Sequence, residues 1–338
     1  MAPSDTTPAA IDEHPLVTFA LFAYNQEAYI REAVEGAFSQ TYEPLEIILS
    51  DDCSSDRTFE IMQEMAAEYK GPHTVRLRRP ECNLGLATGV SEVSAMASGG
   101  LIVAAAGDDI SVPHRTAKLV KAWIANDCRS GSIYSHYCTI DAEGKIGGPN
   151  PRNAYSVTTL ADRDIRLLNN FTGLSGCAHA WTRDLFDTFG AIDSRIVHED
   201  AAVPLRALLM GSITFLPLDL VFYRLTPGSI TRRTYRTGKE RIEKMARYWA
   251  GRITIFQQFY TDSRIAKDRN LTDSSDIAWL VGKAEQAENF AELTYQLYAS
   301  AFSRRIAIIF NPNSKISLAN RMKWALIAGF PWVYGRLT

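Results

Sequence analysis

Three pairs of adjacent carboxylates stand out in this sequence: Asp51-Asp52, Asp108-Asp109 and Glu199-Asp200. Asp108-Asp109 comes just after the all-apolar run Leu101 to Ala106 (LIVAAA). Two such carboxylates repel each other and lose hydration unless a cation offsets them. A hard divalent ion, Mn2+ or Mg2+, takes oxygen ligands and bridges substrate phosphates, so Asp109 and Asp108 are candidate metal ligands. The alternative is a turn in which Asp109 or Ser111 caps the helix containing Pro113. Asp51-Asp52 repeats the arrangement earlier in the chain. There a carboxylate could accept from a base N–H or a ribose hydroxyl, or the DCSSD stretch could simply start a helix. Glu199-Asp200 precedes a helical pattern of Val203, Leu205, Leu208 and Leu209. Acids suit a helix N-terminus; the functional alternative is a general base that takes a proton from a hydroxyl. Tyr24 offers a ring for stacking or packing, and Gly85 in Asn83-Leu84-Gly85 lets backbone approach a ribose or phosphate.

These residues need elements to hold them. Leu16 to Phe22, Leu45 to Leu49, Val75 to Arg79 and Leu101 to Ala106 read as strands. Between them lie helical patterns: Ile30, Ala33, Val34, Ala37 and Phe38; Phe59, Met62, Ala66 and Tyr69, capped by Ser54 or Ser55; and Leu86, Val90, Val93 and Ala97. Regular alternation of strand and helix predicts an α/β fold with a mainly parallel sheet flanked by helices. Ligands of such sheets sit outside the carboxyl ends of the strands, where Tyr24-Asn25, Asp51-Asp52 and Asp108-Asp109 should converge. Pro113 suits the first turn of the helix carrying Leu119, Val120, Trp123 and Ile124. Gly131 to Ile140 reads as a strand and the stretch from Gly147 to Asp162 as a loop. Ile213 to Arg224 reads as late strands interrupted by Pro217. Beyond Arg232 the pattern is helical.

The 338 residues, 46% hydrophobic and 22% charged, suit a globular protein and exclude disordered or collagen-like classes. Five scattered cysteines form no CxxC or zinc-type spacing and read as reduced thiols. The start of the chain has no secretion-signal pattern, so the expected location is the cytoplasm. Net charge is −2, but residues 232–338 carry 18 Lys and Arg against 9 Asp and Glu. Such asymmetry points to an anionic ligand or surface.

The ordered motifs resemble the inverting family-2 glycosyltransferases of the GT-A (Rossmann-like) fold. They are VTFALFAYNQEAYIREAVEGAFSQTYEPLEIILSDDCSSDRT, NLGLATG, LIVAAAGDDIS, WTRDLFDTFGAI with HED, and YRLTPGSIT, spanning Pro15 to Arg233. The resemblance implies transfer of a sugar from a nucleoside-diphosphate sugar, UDP-sugar favoured, to a hydroxyl of a glycan or lipid-linked acceptor in surface polysaccharide synthesis. It implies a donor site at Ala23, Tyr24, Asn25, Asp52, Asn83, Gly85 and Asp108, with Tyr24 stacked on the base and Asp52 bonded to it. Asp109 would ligate the metal, and Asp200 would be the base, with Glu199 the second candidate. Arg224, Arg232 or Arg233 is a candidate diphosphate contact, the alternative for each being solvated surface. Many relatives read Tyr-Arg-x-His late in the domain, with a His that touches the metal or diphosphate; here that position is Thr226, so water or a nearby side chain would take its place. Ser91 stands where relatives often carry Asn. The small-residue stretch GLSGCAHAWTR suits an acceptor groove, with Gly176 and Trp181 as candidates, although Trp181 equally suits a core.

The expected organisation is a flexible tail (1–14), a glycosyltransferase domain (15–232) and a basic helical region (233–338). The last segment, Ala301 to Thr338, mixes six Lys or Arg, no acid, and Trp324, Phe330, Trp332 and Tyr334. Aromatics beside cations suit peripheral contact with an anionic membrane, at the inner face of the cytoplasmic membrane. The apolar run Trp324 to Tyr334 is too short to span. The alternatives are contact within a homo-oligomer or a long packed helix, for which Leu280, Ala284, Ala287, Ala291, Thr294, Tyr298 and Ala301 have the spacing. No nucleic-acid-binding motif is present. Two other functional classes compete: a sugar-phosphate nucleotidyltransferase, which expects a Gly-rich loop where FAYNQEAY stands, and a non-catalytic nucleotide-sugar-binding protein, which has no need of Asp200.

Overall fold

The computed structural model describes residues 14–128, 130–149, 159–160, 175–226 and 237–300. Its centre is a mixed sheet in the order β3 (Thr74–Arg78), β2 (Leu45–Asp51), β1 (Val17–Ala23), β4 (Leu101–Ala106), β8 (His179–Thr182), β6 (Ser130–Ile140), β9 (Ser212–Arg224), β5 (Ile110–Ser111). β1, β2, β3 and β4 are mutually parallel. They are separated by α1 (Ile30–Phe38), α2 (Thr58–Glu68) and α3 (Leu86–Met96), as the alternation predicts. Side chains alternate between faces along each strand. Phe19, Leu21, Ile47, Leu49 and Val103 pack with α1, α2 and α4 (Arg115–Ala125). Ala20, Ile48, Ile102 and Ala104 join the opposite core with α3, α5 (Asp184–Phe189) and α6 (Glu199–Met210). Helices cover both faces, which is why these strands are apolar throughout.

Beyond β4 the sheet turns mixed. β8 (His179–Thr182) runs antiparallel between β4 and β6 (Ser130–Ile140), with Ile102 opposite Trp181. β9 (Ser212–Arg224) is parallel to β6, and β5 (Ile110–Ser111) pairs with its end. Pro217 does not divide β9. Register slips there instead: Leu216 pairs with Ser135 and Asp219 with His136, so a residue without an N–H sits in a bulge. The expected loop after Gly147 is corrected in part, because β7 (Ile146–Pro149) pairs with β6; most of its remainder lies outside the described residues. Ser54 and Ser55 do not cap α2, which starts at Thr58 with Asp56 Oδ1 accepting from the Thr58 N–H at 3.0 Å. Asp109 and Ser111 do not cap α4, which starts at Arg115, two residues past Pro113.

The basic region forms a helical hairpin of α7 (Gly238–Asp268) and α8 (Ser274–Ala299). Thr237 caps α7 through its hydroxyl, which accepts from the Glu240 N–H at 3.1 Å. Ile255, Phe256, Phe259, Leu280, Ala284 and Ala291 are buried in the same core as Trp181 and the α6 leucines. The hairpin is therefore continuous with the sheet's helical cover. Arg206 of α6 fixes the junction: it is fully buried, with Nε donating to Asp262 Oδ2 of α7 at 2.8 Å. Among the described residues no helix is long and apolar enough to cross a membrane.

Candidate active site

The loops after β1 and β2 are laced together. The Asp52 N–H donates to the Ala23 carbonyl at 2.9 Å, and the Asn25 N–H to the Ser54 hydroxyl at 2.8 Å. Asn25 occupies a left-handed conformation (φ 52°), and its Oδ1 accepts from the Ser55 N–H at 2.9 Å. Tyr24 projects from this loop with 48% of its surface exposed, a ring free to be covered by a ligand. Asp51 is buried and spent on structure, accepting from the Ser54 backbone and hydroxyl beside Arg79. Asp52 faces the next loop. Its two oxygens accept from Leu84 N–H (3.0 Å) and Gly85 N–H (2.8 Å), and Asn83 Nδ2 reaches its carbonyl at 3.3 Å. Gly85 takes φ 80°, which glycine adopts freely. Each carboxylate oxygen keeps a further lone pair for a ligand.

Asp108 and Asp109 follow β4 on the same rim. The Gly107 N–H donates to Phe22 of β1 at 2.8 Å, and a Cβ at Gly107 would meet Gln26 Oε1 at 2.5 Å, so this turn is pressed against the β1 loop. Asp109 is 3% exposed. Burial, then the neighbouring Asp108 charge, holds its carboxyl well above the usual carboxylate range. Burial also raises Asp108, against the opposing pull of Arg224 and Gln26. Asp109 Oδ1 accepts from the Arg224 N–H at 2.8 Å, while Oδ2 is buried and makes no well-formed hydrogen bond, the nearby donor being the weak Cys177 thiol. Behind them lies Arg115, fully buried and bonded to Ser111 Oγ (2.9 Å) and the Ala104 carbonyl (2.7 Å). Desolvation pushes its guanidinium down to about 10, opposed by attraction from Cys177 and Asp109.

An orphaned carboxylate oxygen in a raised acidic pair fits a divalent cation. Among the described residues no group of three or more His, Cys, Asp or Glu side chains is arranged to hold a metal. Such an ion would take its remaining ligands from donor phosphates and water, as Mg2+ does where one or two carboxylates hold it.

A short 3-10 turn, Gly176–Ala178, connects this pair to the third. The Cys177 thiol lies beside Asp109; burial and that carboxylate hold it well above its ordinary range. One residue earlier, Gly176 packs against the third pair, where a Cβ would stand 3.8 Å from that of Asp200, and its backbone pulls the Asp200 carboxyl down. A Cβ at Gly176 would stand 2.5 Å from Glu199 Oε1, so only glycine fits there without displacement. Glu199 and Asp200 open α6 and keep part of their surface accessible. Burial raises Asp200 to about 7; burial and the Asp200 charge raise Glu199 to about 8. Asp52, Asp109 and Asp200, far apart in sequence, thus share one rim.

Two of the sequence-derived site residues are corrected. Trp181 is 1% exposed, bonded to Ser94 Oγ at 3.2 Å and tilted against Phe186 in the core, so it presents no ring to an acceptor. Arg224 is 1% exposed and fully used: Nε on the Asp108 carbonyl (2.9 Å), Nη1 on Ala142 (3.1 Å) and Nη2 on Glu32 (2.9 Å). It ties the acidic turn in place and has no free face for a diphosphate. Arg232 and Arg233 lie outside the described residues. Thr226 is buried at the end of β9, and Ser91 accepts from the Ile192 N–H at 3.1 Å. Arg115 and Cys177 were not legible as site residues, since nothing local in the sequence marks which buried cation or thiol stands behind a carboxylate.

Residues 18–189 match the family model for glycosyl transferase family 2. Among curated relatives, a protein of Bacillus subtilis named as a glycosyltransferase, EpsE, is 35% identical over 106 residues, 31% of this chain and 37% of its own. A chondroitin synthase of Escherichia coli is 28% identical over 138 residues, 41% of this chain and 19% of its own. The matches to the first of these relatives span about a third of their length. Among solved structures, S. aureus TarS 1-349 in complex with UDP-GlcNAc covers 94% of this chain and 92% of its own, at TM-score 0.55 and 17% identity. The mannosyltransferase PcManGT from Pyrobaculum calidifontis, in complex with GDP-Man and Mn2+, covers 94% and 82% at TM-score 0.53 and 18% identity. With the family model over half the chain and the sheet matching these structures, the chain belongs to glycosyl transferase family 2 and has the GT-A fold.

Proposed function

We propose that this protein transfers a sugar from a nucleoside-diphosphate sugar to a hydroxyl of a glycan or lipid-linked acceptor, with inversion, in surface polysaccharide synthesis. The observation that carries the reading is the Gly176–Ala178 turn, which sets Cys177 beside Asp109 and packs Gly176 against Glu199 and Asp200. Donor and acceptor chemistry then meet in one cleft. In this reading the exposed Tyr24 ring covers the base, and Asp52 with Asn83 and Gly85 shapes the nucleoside pocket. Asp109 and Asp108 would hold Mn2+ or Mg2+, which would supply positive charge against the departing diphosphate. Asp200 takes the proton as the acceptor oxygen bonds to the anomeric carbon and the bond to the nucleoside diphosphate breaks. A base raised to about 7 matches neutral conditions, where both its basic form and its proton affinity are useful. Inversion needs one base on the acceptor side. The neighbours that bind UDP-GlcNAc and GDP-Man support a nucleotide-sugar donor. The chondroitin synthase supports a polysaccharide product.

The test is nucleoside diphosphate release from a panel of UDP-, GDP- and dTDP-sugars with Mn2+ or EDTA. The expected outcome is metal-dependent release, abolished in Asp109→Ala. Asp200→Asn should bind donor normally and turn over at least ~100-fold more slowly, the scale of a lost general base. Full turnover in Asp200→Asn would reassign the base.

A further inference from the structure

Arg224 ends β9 beside the acidic turn, where β9 pairs antiparallel with β5: Ile110 lies opposite Phe222 and Ser111 opposite Val221. Its backbone and its side chain each hold one residue of the Asp108-Asp109 pair. The Arg224 N–H donates to Asp109 Oδ1 at 2.8 Å, which fixes the rotation of that carboxylate and so the direction of Oδ2. Nε donates at 2.9 Å to the Asp108 carbonyl, an atom of the peptide group that joins the two aspartates. That group is planar, so holding its oxygen sets how Asp109 is presented relative to Asp108. The guanidinium is itself held from two other elements. Nη1 donates to the Asp141 and Ala142 carbonyls of the β6–β7 turn at 3.3 and 3.1 Å. Nη2 donates to Glu32 Oε2 of α1 at 2.9 Å, and the guanidinium carbon stands 4.9 Å over the centroid of the Tyr29 ring. Among the described residues, Glu32 is the charged acceptor of this side chain; the others are carbonyls. A buried cation is costly unless paired, so Glu32 secures the guanidinium in its place.

We propose that Arg224 is a positioning residue for the divalent ion and that Glu32 holds it there: metal affinity is set from α1, through a side chain bonded to neither aspartate. The inference rests on Asp108 and Asp109 being the metal site. An acidic turn that is free to rotate must be ordered when the ion arrives, and that cost is subtracted from binding. The brace removes it beforehand. It also joins the acidic turn to the start of α1, just after the loop that carries Tyr24 and Asn25, so the metal end and the nucleoside end of the cleft are held by one cation.

The experiment is calorimetric titration of Mn2+ into the full chain, alone and with saturating UDP or GDP, the heat of the nucleotide alone being subtracted. The proteins are wild type, Arg224→Met, Arg224→Lys, Glu32→Ala, Glu32→Gln and Asp109→Ala. In the condition where wild type binds most tightly, Arg224→Met should bind Mn2+ about tenfold more weakly, the lower end of the range for a group that orients metal ligands. Arg224→Lys should lose nearly as much, because an ammonium keeps the charge but not the planar fork. Glu32→Ala should weaken binding by about threefold, within the span for residues that touch neither ligand. Glu32→Gln, whose amide oxygen still accepts from Nη2, should stay close to wild type. Should the Arg224 variants melt below the assay temperature, the half-exposed Glu32 still reads the brace. Wild-type affinity in Arg224→Met, or its recovery in Arg224→Lys, overturns the positioning role while the metal site stands. Wild-type affinity in Glu32→Ala, or an equal loss in Glu32→Gln, overturns the part given to Glu32. A wild type that takes up no Mn2+ in any condition, or an Asp109→Ala that binds it as wild type does, overturns the metal site and this inference with it.

Discussion

At the scale of residues, the site is a set of carboxylates whose burial is offset by backbone N–H groups and by cations behind them. Asp52 holds two N–H groups of the Asn83–Gly85 loop, so Asp52→Ala should release that loop. We expect donor KM to rise about tenfold with kcat little changed, since two charge-assisted hydrogen bonds of about 1.5–3 kcal/mol each shape the pocket rather than the reacting centre. Gly176→Ala should do the reverse. Its Cβ would stand 2.5 Å from Glu199 Oε1 and push that carboxylate aside next to Asp200, so steady-state kinetics should show lower kcat at unchanged donor KM. The acidic pairs were legible in the sequence because each follows an apolar run at a strand end, or opens a helix, within a few residues. Arg115 and Cys177 were not legible, because their role depends on how β8 and α4 pack beneath the site. Trp181 was ambiguous for the same reason: a tryptophan among small residues fits a groove or a core, and the inserted antiparallel strand puts it in the core.

At the scale of elements, the parallel half of the sheet follows from local patterns, and the mixed half does not. β1 to β4 alternate with amphipathic helices, so their order and their helical cover could be read directly. β8 is four residues long, and its place between β4 and β6 is set by long-range pairing that no local period encodes. The helix that carries Asp200 is held by a buried ion pair rather than by its own capping. Arg206 bonds Asp262 and the carbonyls of Gly190 (2.7 Å) and Ala191 (3.2 Å). Arg206→Ala would leave Asp262 buried and uncompensated, at a cost of about 3–5 kcal/mol measurable by urea denaturation. Replacing both partners, in Arg206→Met with Asp262→Leu, should recover much of that loss, because a packed apolar pair avoids the desolvation penalty.

At the scale of the whole molecule, the basic C-terminal third is less separate than its charge suggests. Residues 237–300 share a core with the sheet, so a chain ending at residue 231 should expose that core and fail to give a cooperative thermal transition. A boundary near residue 232 follows the charge step; apolar contacts cross it. The segment 301–338, where aromatics and cations suggest membrane contact, lies outside the described residues. What unites the molecule is the meeting of three acidic stretches, from the first half and from α6, at one rim. The most direct test is a crystal structure of the protein with Mn2+ and a donor nucleoside diphosphate, read by the anomalous signal of the metal. The expected map places the ion on the Asp109 carboxylate, the diphosphate against the ion, the base near Tyr24 and Asp52, and Asp200 across the cleft from the leaving group. An ion bound away from Asp108 and Asp109, with the nucleotide on another surface, would contradict the shared cleft and the transfer chemistry built on it.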